Sequence, residues 1–241
     1  MLKIPAFGAF FRRLSGKNHV PDEHGFSRRK INGLLGGIVV ATVLGLAPIA
    51  KAQEPYKIIA LGDSLTAGYG LDRNLAFPAV LERALSQKGY NVQIINAGVS
   101  GDTTAGGFRR LSWTLADGAD MVLLALGAND GLRGVNPTQT QKNLDAMIGH
   151  IKSRNMDMIL IGLKAPRSRG RAYQERADAM WPALAYKHQV PLHPDFMKDV
   201  LNNPDLKLRD GLHPNKEGVE KMVENFLPVI LKHLPDSAKS G

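Results

Sequence analysis

Ser64, His213 and Asp210 belong to the three residue types that together turn a hydroxyl into a nucleophile. A serine hydroxyl is weak on its own and needs a base to take its proton. An imidazole, with an unperturbed pKa of about 6.5, can do this near neutral pH. Asp210 lies three residues before His213; Gly211 permits a tight turn between them, and Pro214 stiffens its exit. On such a turn the carboxylate can accept the Nδ1–H of His213 and leave Nε2 free to face Ser64. The chemistry these residues would perform is acyl transfer through a tetrahedral intermediate. Its oxyanion needs fixed N–H donors, each costing about 3 kcal/mol when removed. The candidates are the backbone N–H of Ser64, the N–H of Gly98, which has no side chain to obstruct a substrate, and the side-chain amide of Asn129.

Each residue also has a purely structural reading. A serine after a strand is often a helix N-cap. Asp-Gly is a common turn dipeptide, and Asn129-Asp130 could form an Asx-turn. Among the other histidines, His193 is the rival base, while His150, His188 and His233 lie in helical patterns beside charges and are expected to be solvated. There is no HExxH motif, no cysteine and no paired-carboxylate motif, so neither a metal site nor a cysteine nucleophile is supported. No cofactor is expected. The Gly62–Gly68 loop lacks the Gly-Lys-Ser/Thr ending of a phosphate loop, and Gly68-Tyr69-Gly70 is only a fragment of a dinucleotide fingerprint.

The elements that must position these residues alternate between strand-like and helix-like patterns. Tyr56–Leu61, Val92–Ile95, Met121–Leu126, Met158–Ile161 and Val190–Leu192 read as strands, and Met121–Leu126 is the apolar run best suited to the centre of a sheet. Helical spacing covers Phe77–Lys88, Thr103–Leu115, Thr138–Ser153, Tyr173–Lys187 and Lys216–Lys232. Gly106-Gly107 weakens the second of these, Pro182 should kink or split the fourth, and Pro228 is a local difficulty in the last. The tail from Pro235 is expected to fray. Alternation of this kind implies an α/β fold, a parallel sheet covered on both faces. In such sheets ligands bind outside the carboxyl ends of the strands, where Ser64, Gly98 and Asn129 fall. The loop Lys164–Arg171 is basic and reads either as a solvated loop or as a substrate edge.

Four blocks in this order, Gly62-Asp63-Ser64-Leu65, the Gly98 segment, Gly127-x-Asn129-Asp130 and Asp210-x-x-His213, resemble the SGNH, or GDSL-type, serine hydrolases. Ser100-Gly101-Asp102-Thr103 and Asn129-Asp130-Gly131-Leu132-Arg133-Gly134 look like the thioesterase I/lysophospholipase L1/arylesterase branch. The resemblance implies a flavodoxin-like three-layer sandwich with five parallel strands in the order 2-1-3-4-5. It implies Ser64 as nucleophile, His213 as base, Asp210 as its orienting carboxylate, and Ser64, Gly98 and Asn129 as the oxyanion hole. The implied activity is hydrolysis of small aryl or acyl esters, extending to acyl thioesters and lysophospholipids. A carbohydrate O-deacetylase of the same fold and a non-catalytic envelope binding protein are the alternatives.

Composition bounds the partners and the compartment. The net charge is +9, but residues 1–52 hold eight of the 31 Lys/Arg and two of the 22 Asp/Glu, leaving the remainder at only +3. That distribution does not suggest a nucleic-acid surface. Residues 31–50 form an uncharged run behind Ser27-Arg28-Arg29-Lys30, and Ala50-Lys51-Ala52 has the small residues of a signal-peptidase site. Residues 1–52 are therefore expected to be an export signal cleaved after Ala52. Residues 53–241 would form one periplasmic or secreted hydrolase domain, and a membrane would be met only through the leader. Ser27-Arg28-Arg29-Lys30-Ile31 resembles a twin-arginine signal, although Asn32 departs from that pattern and the general secretory route fits as well.

Overall fold

The structure is a computed structural model and describes residues 54–240; the leader and its cleavage site lie outside the described residues. Five strands, β1 (Tyr56–Gly62), β2 (Val92–Gly98), β3 (Met121–Ala125), β4 (Asp157–Ile161) and β5 (Leu192–His193), form one sheet in the order β2-β1-β3-β4-β5. Every pairing is parallel. Gly62 of β1 stands opposite both Gly98 of β2 and Ala125 of β3, so three strand ends share one level.

Seven α-helices surround the sheet among the described residues: α1 (Ser64–Ala67), α2 (Phe77–Ser86), α3 (Thr104–Thr114), α4 (Ala128–Arg133), α5 (Pro137–Ser153), α6 (Arg171–His188) and α7 (Lys216–His233). The chain steps one way from β1 to β2 and the other way from β2 to β5. Right-handed crossovers therefore place α2 on one face and α3, α5 and α6 on the other. α7 packs against α2, while α5 packs against α3 and α6. The reversal occurs between β1 and β3, the topological switch point at which a crevice opens in such sheets.

The apolar periodicities explain the packing. Phe77, Leu81 and Leu85 of α2 are fully buried, as are Val219, Met222, Phe226 and Ile230 of α7. Phe77 meets Phe196 edge-on, with ring centroids 4.7 Å apart, and Phe226 at 5.7 Å. The paired glycines of α3 are buried and serve close packing. A Cβ on Gly106 would lie 1.7 Å from Asp102 Oδ1, and one on Gly107 would lie 2.2 Å from Leu126 Cδ1.

Several boundaries differ from expectation. Strand two runs on through Asn96-Ala97-Gly98, and the fifth strand is Leu192–His193 rather than Val190–Leu192. α6 is continuous through Pro182 and α7 through Pro228, because burial of one side of each outweighs a missing N–H. The tail does not fray before Ser240. Ala238 is buried, its carbonyl accepts the N–H of Asn91 at 2.8 Å, and Ser240 N–H donates to Gly89 at 2.8 Å.

Candidate active site

The chain leaves β1 at Gly62 and enters α1 within two residues. Gly62 is required here, since a Cβ would sit 1.9 Å from Thr66 Oγ1. Asp63 is the cap of α1, its Oδ1 accepting the N–H of Leu65 at 3.0 Å. Ser64 is therefore the first helical residue and not the cap. Its side chain faces His213, and its backbone N–H donates to no acceptor among the described residues.

His213 reaches Ser64 across 149 residues of sequence. Its Nε2 lies 2.9 Å from Ser64 Oγ, and its Nδ1 lies 2.7 Å from Asp210 Oδ2. Asp210 Oδ1 also accepts the backbone N–H groups of Leu212 at 2.9 Å and His213 at 3.0 Å. Gly211 makes this possible with φ +67°, in the left-handed region. The His213 N–H, the His213 ring and the Leu212 N–H together hold the Asp210 carboxyl down to about 2. It is thus a carboxylate throughout the range in which an imidazole titrates.

Asn129 sits in α4, at the end of β3. Its Nδ2 donates to the Asp102 carbonyl at 3.0 Å and to Asp63 Oδ2 at 3.3 Å. It therefore bridges the turn bearing Ser64 and the turn that follows β2. Beneath it, buried Asp130 accepts the N–H of Thr104 at 2.8 Å and the hydroxyls of Thr104 at 2.5 Å and Thr140 at 3.2 Å, which pins α4 to α3 and α5. Burial pushes the Asp63 carboxyl up to about 6, against the lowering effects of the Leu65 N–H, the His213 charge and the Asn129 amide.

Gly98 is placed differently from expectation. Its N–H is not free but donates to Asn96 Oδ1 at 3.0 Å. Its missing side chain serves packing, since a Cβ would lie 2.3 Å from Ala67 N. Three residues on, Gly101 has φ +79°, and its N–H makes no hydrogen bond among the described residues. It adjoins Asp102, the residue held by Asn129. Proximity to a strand end singles out Gly98 in the sequence; the distinction from Gly101 depends on which N–H is already taken.

Of the three helical histidines expected to be solvated, His233 is exposed, whereas His150 and His188 are partly buried. His193 is buried within β5 against Phe226, its Nε2 has no partner among the described residues, and burial lowers its pKa. It lies away from Ser64 in the sheet order. His150 Nε2 is buried without a partner, and His188 Nε2 lies 2.6 Å from Asp145 Oδ1. The basic loop is not merely solvated either. Arg169 Nε donates to the Gly131 carbonyl at 3.0 Å, and its guanidinium also reaches the Leu132 carbonyl. Tyr69, which no sequence signal marked, stacks on His213 with ring centroids 4.4 Å apart. The described residues hold no cluster of three or more His, Cys, Asp or Glu arranged for a metal.

Comparison with known proteins gives a consistent picture. Residues 60–221 match the model of the GDSL-like lipase/acylhydrolase family. An arylesterase of Vibrio mimicus is 36% identical over 197 residues, which is 81% of this chain and 98% of that protein. Thioesterase 1/protease 1/lysophospholipase L1 of Escherichia coli (strain K12) is 38% identical over 185 residues, 75% of this chain and 88% of its own length. Among solved structures, that of TesA superimposes with a TM-score of 0.71 at 34% identity, covering 74% of this chain and 99% of the other. With these matches, and with its five parallel strands in the order 2-1-3-4-5, this chain belongs to the GDSL-like lipase/acylhydrolase family.

Proposed function

We propose that this serine esterase works through Ser64 as nucleophile, His213 as general base and acid, and Asp210 as the carboxylate that orients and stabilises the imidazolium. The observation that carries the reading is the unbroken relay Asp210 Oδ2 to His213 Nδ1 at 2.7 Å and His213 Nε2 to Ser64 Oγ at 2.9 Å. His213 takes the hydroxyl proton as Ser64 Oγ bonds to the ester carbonyl carbon. Collapse of the tetrahedral intermediate breaks the bond to the leaving oxygen, which receives that proton from Nε2. Water, deprotonated by the same nitrogen, then attacks the acyl-enzyme, releases the acid and restores Ser64.

The oxyanion donors in this reading are the N–H of Ser64, the N–H of Gly101 and the amide of Asn129. Gly101 replaces Gly98 because the Gly98 N–H is engaged by Asn96 and that of Gly101 is not. The 3.3 Å contact from Asn129 to Asp63 is the weaker of its two and is the one an oxyanion would displace.

The substrate reading is an aryl or acyl ester. Tyr69, Val99, Leu132 and Leu212 are all exposed large apolar residues; Tyr69 stacks on His213, Leu212 adjoins it in sequence, Val99 lies two residues before Gly101, and Leu132 three after Asn129. Such a rim favours an apolar acyl or aryl group over a sugar. Residues 1–52 are proposed to direct export, with cleavage after Ala52; amino-terminal sequencing of the mature protein checks this.

Ser64→Ala should reduce hydrolysis of a p-nitrophenyl ester by at least about 10³-fold and abolish fluorophosphonate labelling while leaving the thermal transition in place. Undiminished turnover overturns the reading. Faster hydrolysis of acetylated sugars than of C4–C12 esters would overturn the substrate class alone.

A further inference from the structure

Arg110 of α3 touches none of the proposed reacting groups, yet its guanidinium joins the two turns that carry the backbone oxyanion donors. Nη2 donates to the carbonyl of Gly62 at 3.0 Å, at the end of β1 and two residues before Ser64. Nε donates to Asp102 Oδ2 at 2.8 Å, one residue after Gly101. Nη1 contacts Thr114 Oγ1 at 3.4 Å on its own helix. The ion pair is largely buried, with side-chain exposures of 20% and 12%. Gly106 leaves room for the Asp102 carboxylate, because any Cβ there would overlap its oxygen. Asp102 in turn gives its N–H to the Val99 carbonyl at 3.0 Å and accepts Asn129 Nδ2 at 3.0 Å. The one planar fork therefore fixes, at the same time, the strand end behind Ser64 and the turn that presents Gly101.

We propose that Arg110 is a positioning residue for the oxyanion hole, setting the spacing of the Ser64 and Gly101 N–H groups through Gly62 and Asp102. This rests on the serine-esterase reading above. The donors come from separate loops, and pre-set spacing is what makes such donors effective when the charge develops. A ground-state ester makes little demand on that spacing, so the effect belongs to kcat and not to KM. Lysine cannot substitute, because a single ammonium lacks the two divergent edges that meet a carboxylate and a carbonyl together.

The test uses Arg110→Lys and Asp102→Asn in the purified protein. Turnover of a p-nitrophenyl ester is normalised to sites titrated with a fluorophosphonate. Affinity is measured for an alkylboronic acid, which forms a tetrahedral adduct with the serine. Arg110→Lys should lower kcat per titrated site on the order of 10- to 100-fold, keep KM within about twofold, and weaken boronate binding by a factor that follows kcat. Asp102→Asn, which keeps an acceptor for Nε, should lose less. Unchanged kcat per titrated site in Arg110→Lys, or a fall in kcat with boronate affinity unaltered, overturns the positioning role. A kcat loss in Asp102→Asn equal to or greater than that in Arg110→Lys overturns it too. Ser64→Ala separates the two ideas. An inert Ser64→Ala beside a fully active Arg110→Lys removes only the positioning role, whereas an active Ser64→Ala removes the mechanism itself.

Discussion

Two carboxylates feel the charge of the His213 imidazole, and their surroundings push them in opposite directions. Asp210 is exposed but accepts three N–H groups, which hold it down to about 2. It is ionised wherever the enzyme would be assayed, so the acid limb of kcat/KM should not report its titration. Asp210→Asn keeps the size of the side chain but removes the charge proposed to stabilise the imidazolium. It should lower kcat by roughly 10²- to 10⁴-fold, read in steady-state kinetics alongside an unchanged thermal transition. Asp63 is the reverse case, buried and raised from 3.8 to about 6. A carboxyl held more tightly protonated in the folded state adds stability below its unfolded pKa. That stability is lost as pH rises through the folded value. The window is thus about pH 4 to 6, and the shift is worth about 3 kcal/mol. In urea titrations Asp63→Asn should gain stability relative to the parent by about 2–3 kcal/mol between pH 4 and pH 7; a difference that stays flat with pH refutes the assignment.

At the scale of elements, the contact between β2 and α1 couples stability to the proposed nucleophile, Ser64. Gly98 lies against Ala67 N and the Asp63 carbonyl, both backbone atoms that cannot move aside without displacing α1. Gly98→Ala should therefore cost about 2–3 kcal/mol and reduce esterase activity together with Tm, measured by calorimetry and ester hydrolysis on one preparation. Retention of both would mean that α1 adapts easily. Most elements are legible in the sequence because their apolar residues recur at helical spacing or run unbroken, as in Phe77–Lys88 and Met121–Leu126. α4 is not, since Ala128–Arg133 is six residues with little apolar periodicity. It is held in place by Asp130, Thr104 and Thr140, which are distant in sequence.

Across the described domain, the proposed chemistry and the anchoring of the tail occupy opposite ends of the sheet. Ser64 and Asn129 follow strand ends, whereas the tail is tied to Gly89 and Asn91, just before β2 begins. Buried Ala238 and these backbone bonds together contribute about 2 kcal/mol. Deleting residues 235–241 should therefore lower Tm by about 4–8 °C and leave kcat unchanged. A matching loss of kcat would show that the two ends are coupled. The sequence alone determined the alternation of strands and helices, and it marked Ser64, Asn129, Asp210 and His213 as residues worth bringing together, because residue type and local spacing are properties of the chain itself. Tertiary structure decided that His213 and not His193 meets the serine, that the N–H of Gly98 is already engaged while that of Gly101 is not, and that Arg110 links two turns. A hydrogen bond between distant residues depends on where the folded backbone places each donor and acceptor, and no local pattern encodes that.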